Sequence, residues 1–154
     1  MKKTIMIIIL LISITICMAI ENKSLGIVLG PSAGSGISYR VFNDKDSGYE
    51  INYIGVGSNT DFVTFGGAKY LKLINFTDVS RVYYFGAGSI LTNFSKSDNN
   101  FVQFNVAAGV GFEYTLVSNL RLSLDMPLTI WNIFDHDDRM IFTVIPDIGI
   151  HYYF

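Results

Sequence analysis

The chain has 154 residues, a length that suits one domain, and its formal net charge is −2 at pH 7. Half of the residues are hydrophobic and 14% are aromatic, which excludes a disordered chain. Only 16% are charged, fewer than the roughly 25% that is usual in soluble domains, and the mildly acidic balance argues against a nucleic-acid partner.

The chain begins with the pattern of a cleaved signal peptide. Two lysines near the start are followed by an Ile-rich apolar stretch, Thr4–Ile16, and Ala19 is a small residue suited to cleavage. The apolar stretch is shorter than the roughly 20 residues that a transmembrane helix needs. We therefore expect residues 1–19 to be removed and residues 20–154 to form the mature barrel domain.

Cys17 offers an alternative, in which this cysteine carries a lipid. Such signals usually have a small residue before the cysteine, whereas Ile16 stands there. Cys17 is the only cysteine in the chain, so a mature domain that begins at residue 20 has no disulfide and no thiolate chemistry.

The rest of the chain alternates between large apolar residues and small or polar ones, which is the period of a β-strand. From Leu120 to Ile130 one face carries large apolar residues, and the other carries Arg, Ser, Asp, Pro and Thr. From Val102 to Leu116 the alternation lasts 15 residues, longer than the roughly 5–6 residues of most globular strands. This length suits a tilted membrane strand, which needs about 9–11 residues plus its ends.

Eight strands are predicted, separated by short segments rich in Gly, Pro, Asn, Asp and Ser. They are Ser24–Gly30, Ser35–Phe42, Tyr49–Val56, Phe62–Leu73, Arg81–Leu91, Phe101–Leu116, Leu120–Trp131 and Met140–Phe154. Short connections join antiparallel neighbours, and the bulky strand faces are expected to meet lipid while the small polar faces line a narrow lumen. The predicted fold is all-β: an antiparallel up-and-down transmembrane β-barrel of about eight strands.

An even number of strands puts both chain ends at one end of the barrel, which in an outer membrane is the periplasmic end. The first, third, fifth and seventh connections then face the outside. The alternation of strands three to five is blurred at Ile54–Val56 and at Phe65–Ala68, where β-bulges are predicted.

Seven ionisable residues are predicted to point into the lumen: Arg40, Glu50, Glu113, Arg121, Asp125, Asp147 and His151. Buried charges must pair, and an eight-stranded barrel is only just wide enough for its own side chains, so a structural polar network is expected. Asp147 and His151 are four residues apart on one strand face, roughly 13 Å, too far to act as a catalytic pair. No catalytic residue is therefore predicted, and no ligand-binding residue is assigned.

Two further motifs receive structural interpretations. Four Gly-x-Gly pairs begin at Gly34, Gly55, Gly86 and Gly109, but no third glycine and no strand-to-helix switch follows, as a nucleotide-binding loop requires. The run Asp135–Asp138 contains His136 and lacks the glycine of a calcium loop, which favours a solvated acidic turn. No metal site and no cofactor is predicted.

The C-terminal strand carries the sharpest signal. Its apolar face has four members, and the chain stops at the last of them: Ile148, Ile150, Tyr152 and Phe154. This end resembles the terminal strand of bacterial outer-membrane barrels, which the barrel-assembly machinery recognises. With the segments Leu29–Gly34 and Tyr83–Gly88, the chain resembles the small eight-stranded outer-membrane barrels of the OmpX and OmpA type.

The resemblance implies a fold, a place in the bacterial outer membrane and contact with outer-membrane lipid and, during biogenesis, with the assembly machinery. It implies no activity. OmpX-type proteins project long outer strands or loops for adhesion, whereas the connections here are short. The leading hypothesis is a monomeric, non-enzymatic barrel with an envelope-structural or surface-interaction role. Three alternatives stay open: a lipid-modifying outer-membrane enzyme, a soluble lipocalin-like barrel, and a narrow channel.

Overall fold

The computed structural model describes residues 23–43, 46–58, 61–95, 100–131 and 141–154, so the predicted signal peptide and the acidic run 135–138 lie outside the described residues. The strands are β1 (Lys23–Leu29), β2 (Gly36–Asn43), β3 (Ser47–Gly57), β4 (Asp61–Phe76), β5 (Ser80–Ser95), β6 (Phe101–Val117), β7 (Leu120–Trp131) and β8, in two segments (Ile141–Thr143 and Asp147–Tyr153). No helix in these ranges is long and apolar enough to cross a membrane.

The eight strands form one closed antiparallel barrel, because each strand pairs with the next and β8 pairs with β1. Successive register partners can be followed from Leu25 on β1 to Tyr39 on β2 and Ile51 on β3. They continue through β4, β5, β6 and β7 in turn and end at Phe142 on β8. Leu25 also pairs directly with Tyr152, ten residues beyond Phe142. A stagger of ten residues over eight strands tilts the strands by roughly 40°, as in membrane barrels.

The two segments of β8 belong to one strand. Thr143 in the first segment pairs with Thr129 of β7, and Asp147 in the second pairs with Asp125, so the register runs through the interruption unchanged. Pro146 lies in the interruption, where it has no N–H to offer to a ladder.

The apolar face of the barrel points outward. On β7, Leu122, Leu124 and Met126 are exposed, whereas the alternating Ser123 and Asp125 are buried. This confirms the predicted orientation and the predicted fold class, a transmembrane β-barrel. It is the reverse of a lipocalin-like barrel, whose large apolar side chains would point inward.

The predicted β-bulges are wrong. The β3–β4 register is unbroken from Ser47 to Gly57, and the β4–β5 register is unbroken through Phe65–Ala68. Register shifts occur instead between Leu73 and Asn75 and between Thr115 and Val117. The alternation blurs after Tyr53 because β2 pairs with β3 only as far as that residue, so both faces of β3 become exposed beyond it.

Part of the interior is bulky and aromatic, which the expected small polar lumen did not include. Buried residues from four strands form a cluster inside the barrel: Phe42, Leu71, Tyr83, Phe85 and Tyr153. Gly109 and Gly111 of β6 make room for this cluster, since a Cβ at Gly109 would meet Phe85 and a Cβ at Gly111 would meet Tyr83. This Gly-x-Gly pair therefore serves packing, as predicted from the sequence.

Candidate functional site

The interior of the barrel holds all seven ionisable residues that the sequence assigned to the lumen. Six of them are buried, and Arg121 is partly exposed. The structure adds two basic residues that the sequence analysis missed, Lys69 and Arg81, both buried. We call the eight strongly ionic members the interior network: Arg40, Glu50, Lys69, Arg81, Glu113, Arg121, Asp125 and Asp147.

Arg40 joins two carboxylates across the barrel. Its guanidinium donates to Glu50, a neighbour on β3, and Nη1 lies 2.5 Å from Oε2 of Glu113 on β6. Arg81 and Arg121 each approach the other oxygen of Glu113 at 3.3 Å. The Tyr153 hydroxyl also donates to Glu113 at 2.8 Å, so four groups hold this carboxylate.

Lys69 forms the second centre of the network. Its Nζ lies 2.5 Å from Asp125, 2.8 Å from Asp147 and 3.5 Å from Glu50. The Tyr83 hydroxyl donates to the free oxygen of Asp125 at 2.6 Å. Because Glu50 contacts both Arg40 and Lys69, the two centres form one continuous network.

The charges of the interior network balance, with four carboxylates against four basic groups. Isolated buried charges are very costly, whereas a paired and hydrogen-bonded set is tolerated. Aromatic rings complete the packing, since the Arg81 guanidinium lies 4.5 Å from the Phe42 ring centre and 4.9 Å from that of Tyr153. The part of the barrel that holds the interior network and the aromatic cluster is therefore filled by its own side chains.

His151 contacts a serine and a carboxylate without forming a catalytic triad. Its Nε2 lies 3.0 Å from the Ser38 hydroxyl and 3.7 Å from Glu50, so both neighbours share one ring nitrogen. A triad needs the carboxylate on the opposite nitrogen. Among the described residues, Nδ1 has no hydrogen-bond partner, and the whole side chain is buried. Asp147 has other partners, Lys69 and Ser32.

The connection between β1 and β2 folds into the barrel. The sequence predicts an outer turn here, but the segment Pro31–Gly34 is buried. The Ser32 hydroxyl donates to Asp147, and the Ser89 hydroxyl donates to the Pro31 carbonyl at 3.4 Å. Gly34 has a φ of +82°, which favours glycine and turns the chain back toward β2. The segment therefore covers the Asp147 side of the interior network.

The predicted C-terminal assembly residues lie on the outer surface. Ile148, Ile150 and Tyr152 are exposed there, and Phe154 is half-buried. The backbone N–H of Phe154 donates to the Lys23 carbonyl at 3.1 Å, which fastens the last residue beside the start of β1.

These observations define the class of the protein as an eight-stranded transmembrane β-barrel with a charge-balanced interior. The sequence matches no protein-family model and no curated protein. Among solved structures it is similar to the crystal structure of Ail, the attachment invasion locus protein of Yersinia pestis. The two are 14% identical with a TM-score of 0.43, over 86% of this chain and 94% of that chain.

Proposed function

We propose that this chain is a non-enzymatic barrel of the bacterial outer membrane, with an envelope-structural or surface-interaction role. One observation carries the proposal: large apolar side chains cover the outside while a balanced set of charges is buried inside. Only a surrounding hydrocarbon layer accounts for such an inverted distribution. The proposed partners are outer-membrane lipid and, during biogenesis, the barrel-assembly machinery; the proposed state is a monomer.

Export is part of the proposal. The first 19 residues have the pattern of a signal peptide, and Ile148, Ile150, Tyr152 and Phe154 are the proposed assembly signal. The barrel end that holds Lys23 and Phe154, called the near end, would face the periplasm, and the far end the outside.

The filled interior supports a protein that does not conduct solutes. The interior network and the aromatic cluster occupy the near half, and Pro31–Gly34 adds a layer above them. The geometry of His151 also gives little support to a lipid-modifying enzyme, because Ser38 and Glu50 share its Nε2. The other histidine, His136, lies outside the described residues.

The test is membrane fractionation combined with a gel that compares boiled and unboiled samples. We expect the protein in the outer-membrane fraction, with an unboiled band that migrates apart from the boiled one. Purified barrels in planar bilayers should give no stable conductance steps. A soluble protein without the shift would overturn the membrane assignment, and regular single-channel steps would overturn the closed interior.

A further inference from the structure

The wall of the barrel is lower at β1 and β2 than elsewhere. β1 ends at Leu29, which pairs with Ile148 of β8, and β2 begins at Gly36. Toward the far end, residues 141–147 of β8 and residues 54–57 of β3 continue without a partner from β1 or β2. Within the described residues a notch thus opens between β3 and β8. It is roughly 14 Å wide if three strand spacings of about 4.8 Å are kept.

The notch lies at the depth of the hydrocarbon belt. On β8, the outward apolar face continues beyond Ile148 with Val144 and Phe142, each 62% exposed. On the other flank, Phe62 of β4 extends the outward apolar face opposite Gly57. Because both flanks are apolar up to this height, the notch opens sideways into lipid.

Behind the notch, the inward side chains nearest to it, on β3, β4 and β8, change from charged to apolar, whereas β6 and β7 contribute the uncharged polar side chains of Asn105 and Thr129. Strand alternation puts Ile54 on the inward face with Glu50, Val63 with Lys69, and Ile145 with Asp147. We call this space the vestibule and define it by Ile54, Val56, Val63, Phe65, Trp131 and Ile145. None of these six side chains carries a charge.

The vestibule is open where the near half is packed. Ile54, Val63 and Ile145 face inward but stay 40%, 41% and 49% exposed, whereas Leu71 and Tyr83 in the near half are fully buried. The floor of the vestibule is the buried segment Pro31–Gly34, which covers Asp147 from this side. An apolar occupant would therefore meet apolar side chains before it met any member of the interior network.

A groove connects the outer surface to this space. It has a volume of about 430 Å³, and its lining residues are Ile27, Gly36, Ile37, Tyr53, Ile54 and Gly55. Ile27, Ile37 and Tyr53 belong to the lipid-facing surface, whereas Ile54 belongs to the vestibule. Gly36 and Gly55 contribute no side chain to the groove; Ile54 packs against Gly36, and Tyr53 and Phe62 pack against Gly55. The groove is continuous with the lipid-facing surface and leads to the foot of the notch.

We propose that a lipid in the membrane leaflet at the far end of the barrel inserts one acyl chain through the notch, and that this chain occupies the vestibule. The assignment of that leaflet as the outer one rests on the proposed function. An acyl chain fits because the entrance opens into hydrocarbon, the lining is uncharged, and burial of Ile54, Val63 and Ile145 against it removes apolar surface from water.

Trp131 is the only tryptophan and reports on this site. It shares the inward face of β7 with Asp125, and its indole N–H donates to Thr143 at 2.7 Å. The protein, refolded in phosphatidylcholine vesicles, is titrated with phosphatidylcholine that carries bromine near the middle of one acyl chain. Bromine quenches indole fluorescence only at short range, so an acyl chain in the vestibule gives strong quenching of the inward-facing Trp131 once all of the lipid is brominated, whereas an empty vestibule leaves Trp131 weakly quenched.

The matched variants change the same residue type on two surfaces. Ile54→Ser with Ile145→Ser makes the vestibule polar, and Ile51→Ser with Ile90→Ser makes the same change on the lipid-facing surface, away from the groove. We expect the vestibule variant to lose most of the Trp131 quenching that the natural chain shows in fully brominated vesicles, because 1.4 kcal/mol of lost burial lowers the affinity for an acyl chain about tenfold. The surface variant should behave like the natural chain.

Unboiled gel bands of the same vesicles separate the two proposals. Folded barrels that are quenched to the same depth in all three proteins would overturn the acyl-chain site and leave the proposed function standing. Strong quenching of Trp131 by free brominated fatty acid but not by the brominated lipid would overturn lipid as the occupant. Failure of the natural chain to insert into vesicles would overturn both.

Discussion

The interior of the barrel is packed differently in its near half and its far half. In the near half, Arg40 and Lys69 join four carboxylates, and aromatic rings fill the remaining space. In the far half, the apolar inward side chains beside the notch, Ile54, Val63 and Ile145, are partly exposed because the β1–β2 hairpin stops at Leu29 and its connection folds inward. The comparison shows that an eight-stranded barrel can be tightly packed in one half of its interior and open in the other.

The largest loss in the free energy of unfolding is expected when the charge balance of the near half is removed. Lys69→Met leaves Asp125 and Asp147 without their cation, and removing one partner of a buried ion pair typically costs about 3–5 kcal/mol. Lys72→Met is the control on the same strand, because its pair with Asp46 is 3.7 Å long and solvent-accessible and should contribute less than about 1 kcal/mol. Urea unfolding of the refolded barrel measures both.

A second variant sharpens the charge-balance argument. Adding Asp125→Asn to Lys69→Met restores equal numbers of buried positive and negative groups, so part of the lost stability should return. Equal effects of the Lys69 and Lys72 substitutions, or a further loss in the double variant, would contradict the role given to charge balance.

The next largest loss of stability is expected when a near-half glycine that leaves space for a neighbouring side chain is replaced. Gly111→Ala puts a methyl group against the Tyr83 ring and Asp125, which are buried and hydrogen-bonded to each other and cannot move freely. Overpacking of this kind costs roughly 1–3 kcal/mol. Gly88→Ala is the control, because its Cβ would meet only the Asn105 carbonyl, at 3.9 Å. If both variants unfold at the same urea concentration, Gly111 has no packing role.

A smaller loss of stability is expected from a substitution in the β1–β2 connection, which folds into the barrel. Gly34→Ala places a side chain at a φ of +82° and against the backbone of Gly66, so a loss of about 1–2 kcal/mol is expected. Gly86→Ala, which meets nothing within 4 Å, should be neutral or slightly stabilising. Thermal unfolding of the two proteins compares them, and a stable Gly34 variant would argue that the connection is not held inside.

The smallest effect is expected in the vestibule. Trp131→Phe removes the hydrogen bond to Thr143 and keeps an aromatic ring, so the free energy of unfolding should fall by about 1 kcal/mol. A loss this small would mean that packing in the far half contributes little to the stability of the barrel. A loss comparable to that of Lys69→Met, measured by urea unfolding with an unboiled-gel readout, would make the far half as tightly packed as the near half.

The regular alternation made most of the fold predictable from the sequence. The predicted bounds of β7, Leu120–Trp131, match the structure, and the inward assignment of Glu113 follows from the alternation around it. Lys69 was missed because Lys69 and Lys72 lie among apolar residues on opposite faces of β4, so the pattern favours neither face. Local patterns define a side chain's face only where the two faces differ.

The notch could not be predicted for a different reason. Pro31–Gly34 has the composition of a turn, and composition does not tell whether a turn points outward or inward. Contacts with Asp147 and Ser89, distant in sequence, hold it inside. The interruption of β8 at Pro146 was likewise hidden in a segment whose apolar alternation looks continuous on either side.

Two adjacent aromatic residues test the orientation of the barrel most directly. In the Trp131→Phe background, Tyr84→Trp puts the only indole on the exposed outer face, and Phe85→Trp puts it in the buried interior. With mid-chain brominated lipid in the vesicles, we predict strong quenching of the Tyr84→Trp protein and weak quenching of the Phe85→Trp protein. Strong quenching of Phe85→Trp with weak quenching of Tyr84→Trp would contradict the account.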